Sequence, residues 1–261
     1  MGAKGFFTDT SVCIGCKACE VACKQWNQLP DDGSFFTGMS YDNTGDLGAS
    51  TWRHVEFIER PAPPTGGPGD GFSWLMMSDV CKHCRSAACL EACPTGAIVR
   101  TEFDSVFVQP DVCNGCGYCV AACPFGVIDR REDDGRAWKC TLCYDRLKDD
   151  MEPACAKACP TDSIQFGDID ELRARAEARL AHLHDRGVTE ASLYGADAAS
   201  QPGTDGLNAF FLLLDEPEVY NLPPDPVTPT KRAGEGWGAA AFAAVGMLAA
   251  AAAAVLGGQR S

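Results

Sequence analysis

Sixteen cysteines carry the chemistry expected of this chain of 261 residues. They form four groups of four, with none left over. In every group the second thiol follows the first by three residues, and the fourth follows the third by four. The groups are Cys13, Cys16, Cys19 and Cys23 (group I); Cys81, Cys84, Cys89 and Cys93 (group II); Cys113, Cys116, Cys119 and Cys123 (group III); and Cys140, Cys143, Cys155 and Cys159 (group IV). Because only the interval between the second and third cysteines varies, we interpret the four groups as repeats of one cysteine-containing unit.

Group III has the simplest spacing, Cys-x2-Cys-x2-Cys-x3-Cys, and Pro124 follows its last thiol. This spacing is typical of thiolates that bind 4Fe–4S clusters. A loop wraps the first three thiolates around one cluster, and the short helix that follows directs the fourth thiolate toward a different cluster. Proline ends that helix because it has no backbone N–H to donate. We expect all sixteen cysteines to be iron ligands of four such clusters.

Two other kinds of cysteine site compete with this interpretation. Disulfide-rich domains are typical of secreted proteins, but residues 1–8 contain no apolar h-region, which predicts that the chain has no signal peptide of its own. The close spacing within each group also favours a metal-binding loop over bridges between distant strands. Zinc bound by the same thiolates is the second competitor, and it would make the protein a zinc-binding scaffold.

The other residues predict no catalytic site in this chain. The formal net charge is −14, whereas a nucleic-acid partner would require a basic surface. There is no Ser-His-Asp set, no pair of acid–base carboxylates and no phosphate-binding glycine loop, because Pro68 interrupts 66–69 and no clear helix follows. The chain is expected to carry electrons and to bind neither nucleic acid nor a small-molecule substrate of its own.

The thiol groups belong to repeated half-units of an α+β fold. The segments 93–98, 123–128 and 159–164 share the pattern Cys-Pro-x-x-x-Ile, and Val12 and Val112 precede the first thiols of two groups in the same register. Each half-unit combines a strand, a cluster loop, a short helix and a second strand. Two half-units make one two-cluster, ferredoxin-like module, so the sequence predicts two modules.

The pairing of the groups decides how the modules are arranged. Groups II and III are neighbours, so we expect one module over 76–138, inserted into a first module made of 1–75 and 139–170. Because each fourth thiolate crosses to the other cluster of its module, the expected ligand sets are Cys13, Cys16, Cys19 and Cys159; Cys140, Cys143, Cys155 and Cys23; Cys81, Cys84, Cys89 and Cys123; and Cys113, Cys116, Cys119 and Cys93. Group III then becomes an interior relay. The alternative pairs group I with II and group III with IV.

Short strands and helices are predicted beside these loops. Strand-like runs cover 6–12, 52–58, 98–100 and 103–108, and another begins at Ile128. The proline-rich stretch 61–69 is expected to be a loop. Because Lys24 stands where the other groups have proline, the group I helix is expected to continue through Trp26.

The segment 171–235 follows the cluster motifs and is expected to form a helix and an extended docking or linker stretch. The clearest amphipathic helix covers 168–187; Asp168 and Glu171 resemble a capping box at its start, and Gly187 follows its end. Its apolar face consists of Leu172, Ala176, Leu180 and Leu183. Residues 210–214 are expected to be a buried strand or part of a docking segment.

The stretch from Trp237 to Leu256 contains no charged residue. As a helix it spans about 30 Å, the thickness of a bilayer core, so we expect one transmembrane helix within 236–258. The alternative is an alanine-rich soluble helix packed on a partner. Lys231 and Arg232 precede this stretch and Arg260 follows it, a balance that slightly favours clusters on the cytoplasmic side.

The histidines and three aromatic residues near the thiols are not expected to bind metal. His83 lies inside group II, where four cysteines already complete the site, so it is expected beside the ligands or in solvent. His182 and His184 are expected on a helix surface, and His54 lies in a strand without metal-ligand spacing. Packing that excludes water is expected of Trp26, Trp138 and Tyr118.

Two stretches around the thiols carry a wider resemblance. Residues 13–27 read Cys-Ile-Gly-Cys-Lys-Ala-Cys-Glu-Val-Ala-Cys-Lys-Gln-Trp-Asn, and 139–146 read Lys-Cys-Thr-Leu-Cys-Tyr-Asp-Arg, with Glu-Pro-Ala-Cys-Ala-Lys-Ala-Cys-Pro over 152–160. With the four cysteine groups, they resemble the iron–sulfur subunits of the molybdopterin oxidoreductase family. The C-terminal third, including 184–187 and the Asn-Leu-Pro segment at 221–223, narrows the resemblance to formate dehydrogenase beta subunits.

This resemblance implies partners and a location. Such a subunit receives electrons from a catalytic subunit that holds molybdenum or tungsten bis-pterin, and it passes them through four clusters to a membrane cytochrome b and then to quinone. The family also implies a single-pass protein of the cell membrane, exported with its catalytic partner, with the clusters on the periplasmic face. The alternative partners are those of hydrogenase or of another pterin enzyme.

Overall fold

The computed structural model describes residues 2–31, 41–42, 44–61 and 72–258. The loop predicted over 61–69 lies outside these residues, apart from residue 61. The strands are β1 Lys4–Asp9, β2 Arg53–Pro61, β3 Phe72–Val80, β4 Ile98–Arg100, β5 Val106–Val108, β6 Asp129–Arg130, β7 Ala137–Trp138, β8 Ile164–Asp168, β9 Ser192–Tyr194 and β10 Ala209–Leu213. The helices are α1 Ala18–Trp26, α2 Ala88–Glu91, α3 Tyr118–Ala122, α4 Tyr144–Lys148, α5 Ala154–Lys157, α6 Ile169–Asp185 and α7 Ala233–Gly258.

The largest sheet has the order β8-β1-β10-β9 and joins the first strand of the chain to its C-terminal part. β1 pairs in parallel with β10, with Phe6 opposite Ala209, and antiparallel with β8. All five residues of β10 are buried, since an apolar run without polar alternation needs cover on both faces. The prediction of a buried strand at 210–214 is therefore confirmed.

Helix α6 covers this sheet and holds the predicted amphipathic face. Leu172, Ala176 and Leu183 are buried in one core with Phe210 and Leu212. The Asp168 side chain accepts the backbone N–H of Asp170, one residue before the predicted capping-box partner. Beyond the last turn, Gly187 adopts a φ of +86°, the left-handed conformation that glycine supplies at a helix end.

The hairpin β2–β3 is the largest element between groups I and II. Its nine residue pairs run from Arg53 opposite Val80 to Pro61 opposite Phe72. The predicted strand over 52–58 is thus confirmed and extended, whereas its partner was not predicted, because Met76, Met77 and Ser78 interrupt the apolar–polar alternation that marks a strand. β4 and β5 form a second hairpin, and β6 and β7 a third.

The short helices lie beside the thiol loops and pack in two pairs. α1 contacts α5, which joins the helices of groups I and IV, and α2 contacts α3, which joins those of groups II and III. α1 continues through Trp26 as predicted. α2, α3 and α5 end one or two residues before the fourth thiol of their groups, and a proline follows each of these thiols.

The C-terminal helix α7 projects its described side chains into solvent. One stretch long and apolar enough to cross a membrane, Pro229–Ala252, is found among the described residues, and its apolar part is not buried against the rest of the chain. A helix therefore covers the segment in which a transmembrane helix was predicted. Its exposed surface is what a membrane or a partner protein would cover.

Candidate iron–sulfur centres

Loops with left-handed residues present the first three thiols of groups I and III. Gly15 has a φ of +64° and Gly115 a φ of +73°, and each lies immediately before the second thiol of its group. Lys17 and Gly117, at φ values of 58° and 76°, are the N-cap residues immediately before α1 and α3. Two left-handed residues within a span of three curl each loop, so that successive thiols point toward a common centre.

The first cavity of this kind is lined by the thiols of Cys13, Cys16, Cys19 and Cys159. Burial raises the pKa of Cys13, and the neighbouring thiols of Cys159 and Cys16 raise it further. The pKa of Cys19 reaches about 12, mainly because the side chain is buried. Three thiols of group I and the last thiol of group IV therefore face one space.

A second cavity is lined by Cys81, Cys84, Cys89 and Cys123. The pKa of Cys84 lies well above its ordinary value because of burial first, and then because of Cys81, Cys123 and Cys89. This cavity thus receives three thiols of group II and the last thiol of group III.

The remaining eight thiols also gather in two sets of four. Burial raises the pKa of Cys119 to about 11, with further contributions from Cys113, Cys116 and Cys93. The pKa of Cys23 is raised by burial and then by Cys155, Cys140 and Cys143. Each set again combines three thiols of one group with the last thiol of another.

Several N–H groups point at the thiols, as ligands of an anionic cluster require. The backbone N–H of Leu142 donates to Cys140 Sγ at 3.4 Å, and that of Ala137 donates to Cys113 Sγ at 3.4 Å. The side chain of Asn27 donates to Cys23 Sγ at 3.6 Å. These donors lower the energy of the thiolate form, which is the form that binds iron.

His83 provides a direct test of whether a cluster fits the second cavity. The backbone N–H of Val106 donates to its Nδ1 at 3.1 Å, so the ring proton is on Nε2. His83 is 1% exposed, and Nε2 has no hydrogen-bond partner among the described residues. Since His83 lines the cavity together with four thiols, a cluster sulfide there would accept this N–H. The residues present fit a 4Fe–4S cluster.

His83 remains neutral in this environment. Burial lowers its pKa well below the ordinary value, and the positive charges of Lys139, Arg100 and Arg53 lower it further. The predicted position beside the ligands is therefore confirmed, and the solvent-exposed alternative is wrong. His182 and His184 are exposed as expected, and His54 lies buried in β2 beside Thr44.

The aromatic residues near the thiols differ in exposure. The Arg131 guanidinium stacks on Trp138 at 4.1 Å, and that of Arg146 stacks on Trp26 at 4.2 Å. Trp26 is nevertheless 41% exposed, and Tyr118 is 63% exposed. The expected packing role is therefore wrong for Tyr118, because α3 turns this side chain outward.

Three buried cations near the thiols were missed by reasoning from the sequence. Arg53, Lys82 and Lys139 are all nearly inaccessible to solvent. Lys82 lies next to Cys81 in the sequence and Lys139 next to Cys140, and a basic residue beside a thiol in an acidic chain is the signal that could have identified them. Arg53 is distant in sequence from every thiol, so only the fold reveals its position.

Comparison with known proteins connects these sites to a family. Residues 72–169 match a family described as a 4Fe-4S dicluster domain, and residues 12–97 match a second family with the same description. Over 222 residues the chain is 43% identical to the formate dehydrogenase iron-sulfur subunit of Haemophilus influenzae, covering 84% of this chain and 68% of the relative. The chain belongs to the formate dehydrogenase iron–sulfur subunit family.

Other relatives show how far this family extends. The chain is 40% identical to the iron-sulfur subunit of the nitrate-inducible formate dehydrogenase of Escherichia coli, over 84% of this chain and 71% of the relative. It is also 38% identical to the B subunit of the anaerobic dimethyl sulfoxide reductase of Escherichia coli, over 66% of this chain and 76% of the relative. The formate dehydrogenase relatives match a larger share of this chain than the dimethyl sulfoxide reductase relative does.

The family matches identify the cofactor that the cysteines bind. The two dicluster matches together include all sixteen cysteines, and they imply four 4Fe–4S clusters as the cofactors of this formate dehydrogenase-type subunit. As an iron–sulfur subunit it transfers electrons within a larger oxidoreductase complex of the formate dehydrogenase or dimethyl sulfoxide reductase type.

Proposed function

We propose that this chain relays electrons from a molybdenum- or tungsten-pterin formate dehydrogenase catalytic subunit toward a membrane cytochrome b and quinone. The 4Fe–4S clusters, when bound, supply one-electron transfer at their iron. The chain's own residues hold these clusters, space them and exclude water. The observation that carries the proposal is the gathering of the sixteen thiols into four sets of four.

We assign the ligands by these sets. They are Cys13, Cys16, Cys19 and Cys159; Cys140, Cys143, Cys155 and Cys23; Cys81, Cys84, Cys89 and Cys123; and Cys113, Cys116, Cys119 and Cys93. The assignment makes 76–138 an inserted module within an outer module of 1–75 and 139–170. It is supported by the packing of α1 on α5 and of α2 on α3. It is also supported by an apolar cluster whose buried members all lie between Ala87 and Ala137.

The rival pairing of group I with II draws on a different observation. The second dicluster match, over 12–97, contains both of these groups. We favour the nested assignment because the cavities and the helix packing report spatial neighbours, whereas a match along the sequence reports only which thiols share a segment.

Thiols of one set that raise the pKa of a thiol in another set indicate which sets are neighbours, and they therefore suggest the order of the clusters. Cys155 is among the groups that raise the pKa of Cys19, and Cys81 is among those that raise the pKa of Cys140. Cys119 likewise contributes to the raised pKa of Cys89. Each cluster can be named after the group that supplies three of its ligands. The proposed series then runs from the group I cluster through those of groups IV and II to that of group III.

The two ends of this series lie at the surface, where partners can approach. Cys16 and Cys116 are the exposed cysteines of the chain, and Ile14 and Val112 beside them are exposed as well. Group III therefore lies at one end of the proposed series, and the expectation of an interior relay is replaced by that of a contact point with a partner.

We further propose that α7 anchors the subunit as a single transmembrane helix, with the cluster modules on the periplasmic side. The exposed surface and apolar composition of α7 support the anchor. The orientation rests on the family, since the flanking charges favour the opposite side. Deleting 237–261 should release the complex from membranes, and full retention of the truncated complex would contradict a spanning role.

Purification of the complex under anaerobic conditions tests the relay. We expect about sixteen iron atoms for each copy of this chain and a large pterin-containing partner identified by mass spectrometry. Addition of formate should reduce the clusters, as seen by electron paramagnetic resonance. A complex that contains iron but stays oxidised with formate would contradict the proposed partner.

Replacing single thiols tests the ligand sets. Cys159→Ser should damage the cluster held by Cys13, Cys16 and Cys19. Damage confined to the cluster of Cys140 and Cys143 would contradict the nested assignment, because those thiols would then share a ligand set with Cys159.

The second candidate is a subunit of another pterin oxidoreductase, which the 38% identity to a dimethyl sulfoxide reductase subunit favours. In that case the substrate of the catalytic partner should oxidise reduced clusters, and formate should have no effect. A zinc scaffold is disfavoured, because both family matches over the cysteine groups are to 4Fe-4S dicluster domains. Near-stoichiometric zinc with little iron in the purified complex would instead support the zinc-binding scaffold.

A further inference from the structure

The hairpin β2–β3 places a buried guanidinium between two thiol sets. Arg53, the first residue of β2, is 2% exposed, and its Nη2 donates to Cys155 Sγ at 3.3 Å. Its Nη1 donates to the carbonyl oxygen of Ser78 at 3.1 Å and lies 3.4 Å from the Ser78 hydroxyl. That hydroxyl is 3.1 Å from Cys19 Sγ. One polar bridge therefore connects a group IV thiol with a group I thiol.

Within the described part of the chain, Arg53 forms no salt bridge with a carboxylate. Its guanidinium instead lies 4.8 Å from the centroid of the Phe6 ring, and its Nε has no hydrogen-bond partner among the described residues. A buried cation is strongly unfavourable without an anion nearby. The cysteine thiolates must therefore be the anions that Arg53 faces.

Two proposed clusters share this cation. Cys155 belongs to one ligand set and Cys19 to the other, and both lie in the outer module. An arginine guanidinium is not deprotonated in proteins, and Nη2 of Arg53 contacts Cys155 Sγ directly. The guanidinium therefore stays positively charged whatever the redox state of its neighbours.

We propose that Arg53, with Ser78 as its link to Cys19, is a positioning residue that raises the reduction potentials of both clusters of the outer module. The inference rests on the ligand sets proposed above. One-electron reduction of a 4Fe–4S cluster, by the donor in the partner complex, adds one negative charge and moves no proton. A fixed cation in a medium of low dielectric constant stabilises the reduced form more than the oxidised form.

The test compares variants of the whole complex by redox titration followed with electron paramagnetic resonance. Arg53→Gln removes the charge, Arg53→Lys keeps it, and Ser78→Ala removes only the hydroxyl that reaches Cys19. Arg60→Gln is the matched control, because Arg60 lies on the same strand with a 41% exposed side chain paired to Asp215. Iron content is measured for every sample.

In Arg53→Gln we expect two of the four midpoint potentials to fall, with at least a tenfold smaller ratio of reduced to oxidised cluster at fixed potential. For a one-electron couple a tenfold change is about 59 mV. Arg53→Lys should restore both midpoints in part. Ser78→Ala should lower one midpoint and leave the other three unchanged, and Arg60→Gln should leave all four unchanged.

Four unchanged midpoints in an iron-replete Arg53→Gln complex would overturn the proposal. If Arg53→Gln loses its clusters, Ser78→Ala decides: four unchanged midpoints in that variant would overturn the proposal. A wild-type complex without iron would instead refute the proposed function, so the two failures are distinguishable.

Discussion

The two end sites and the two middle sites of the proposed series use the same motif in opposite surroundings. The end sites are the sets that contain Cys16 and Cys116, both of which are exposed. The middle sites contain Cys143 and Cys81, both of which are buried. The spacing of the thiols therefore does not decide whether a site meets solvent; the elements packed around the loop do.

The groups that offset the thiolate charge differ in the same way. At the end sites, threonine hydroxyls lie near the fourth thiols: Thr95 Oγ1 is 3.6 Å from Cys93 Sγ, and Thr161 Oγ1 is 3.8 Å from Cys159 Sγ. Beside the middle sites lie the buried cations Arg53 and Lys139, and Arg53 also reaches the buried thiol of one end site, Cys19, through Ser78. Water can solvate a charge at the surface, whereas a buried charge needs a permanent partner.

At Cys93, hydrogen bonds from neutral groups are enough to stabilise the thiolate form without a charged neighbour. Burial opposes its ionisation more than any single hydrogen bond favours it, but the hydrogen bonds from the Thr95 hydroxyl and from the backbone N–H groups of Ile98, Thr95 and Ala97 together lower its pKa overall. Cys89, from the same group but in a middle site, has a pKa of about 12 because it is buried. One group of four thiols thus supplies ligands to both kinds of site.

The largest expected effect is the loss of iron when a thiol of a middle site, rather than one of an end site, is replaced. Cys140→Ala should lower the iron of the purified complex by more than the about four atoms of one cluster, because neighbouring buried thiols lose their packing as well. Cys116→Ala should remove at most those four atoms, since its surroundings are already open. Equal losses, measured by elemental analysis, would remove the distinction between end and middle sites.

A second comparison uses side chains next to the ligands rather than the ligands themselves. Leu142, between two thiols of a middle site, is 0% exposed, so Leu142→Ala should lower the free energy of unfolding by about 2–5 kcal/mol. Tyr118→Ala, beside an end site, should change it by no more than about 0.5 kcal/mol. Denaturation followed by cluster absorbance measures both, and a large loss in Tyr118→Ala would show that this face is packed in the free chain.

Glycines near the thiols sharpen the comparison of the loops. Gly115 has a positive φ, and an added Cβ would collide with the carbonyl oxygen of Gly135. Gly126 lies three residues after Cys123, a thiol of a middle site. It also has a positive φ, but an added Cβ there would meet open space. Gly126→Ala should cost about 1–2 kcal/mol from backbone strain alone.

Gly115→Ala should cost about 1–3 kcal/mol more, because the backbone must also move. The same denaturation experiment compares the two variants. Equal destabilisation would mean that the loop of group III adjusts freely around its thiols.

The smallest expected effect concerns the threonine hydroxyls. Thr95→Val and Thr161→Val should each lower the midpoint potential of one end site. Loss of a net contribution of about 0.5–1 kcal/mol from one hydrogen bond corresponds to a two- to fivefold smaller reduced fraction at fixed potential. The middle sites serve as internal controls, and movement of their midpoints in a redox titration would contradict the separation.

Much of the architecture was predictable because local patterns determined it. The helix over 168–187 and the buried strand near Phe210 follow from hydrophobic periodicity and from an uninterrupted apolar run. The continuation of α1 through Trp26 follows from lysine in place of proline. The predicted domain boundaries stay predictions, since neighbouring helices pack in the expected pairs but no boundary is tested.

Other features depend on contacts between distant segments. β3 was missed because its sequence lacks alternation, and pairing with β2 is what makes it a strand. Arg53 could not be linked to Cys155 from the sequence, because 102 residues separate them and only the hairpin brings them within 3.3 Å. Likewise, the exposure of Tyr118 depends on the direction in which α3 leaves its loop.

The sequence by itself determined that this chain holds thiols in repeated cluster-binding units, since ligand type and spacing are local properties of a loop. The sequence also predicted which thiols share a set, with one rival pairing left open, whereas the tertiary structure alone decided which thiols reach solvent and where the buried cations lie. Those properties arise from packing across the chain, and the electrostatic environment of each site follows from that packing rather than from the motif.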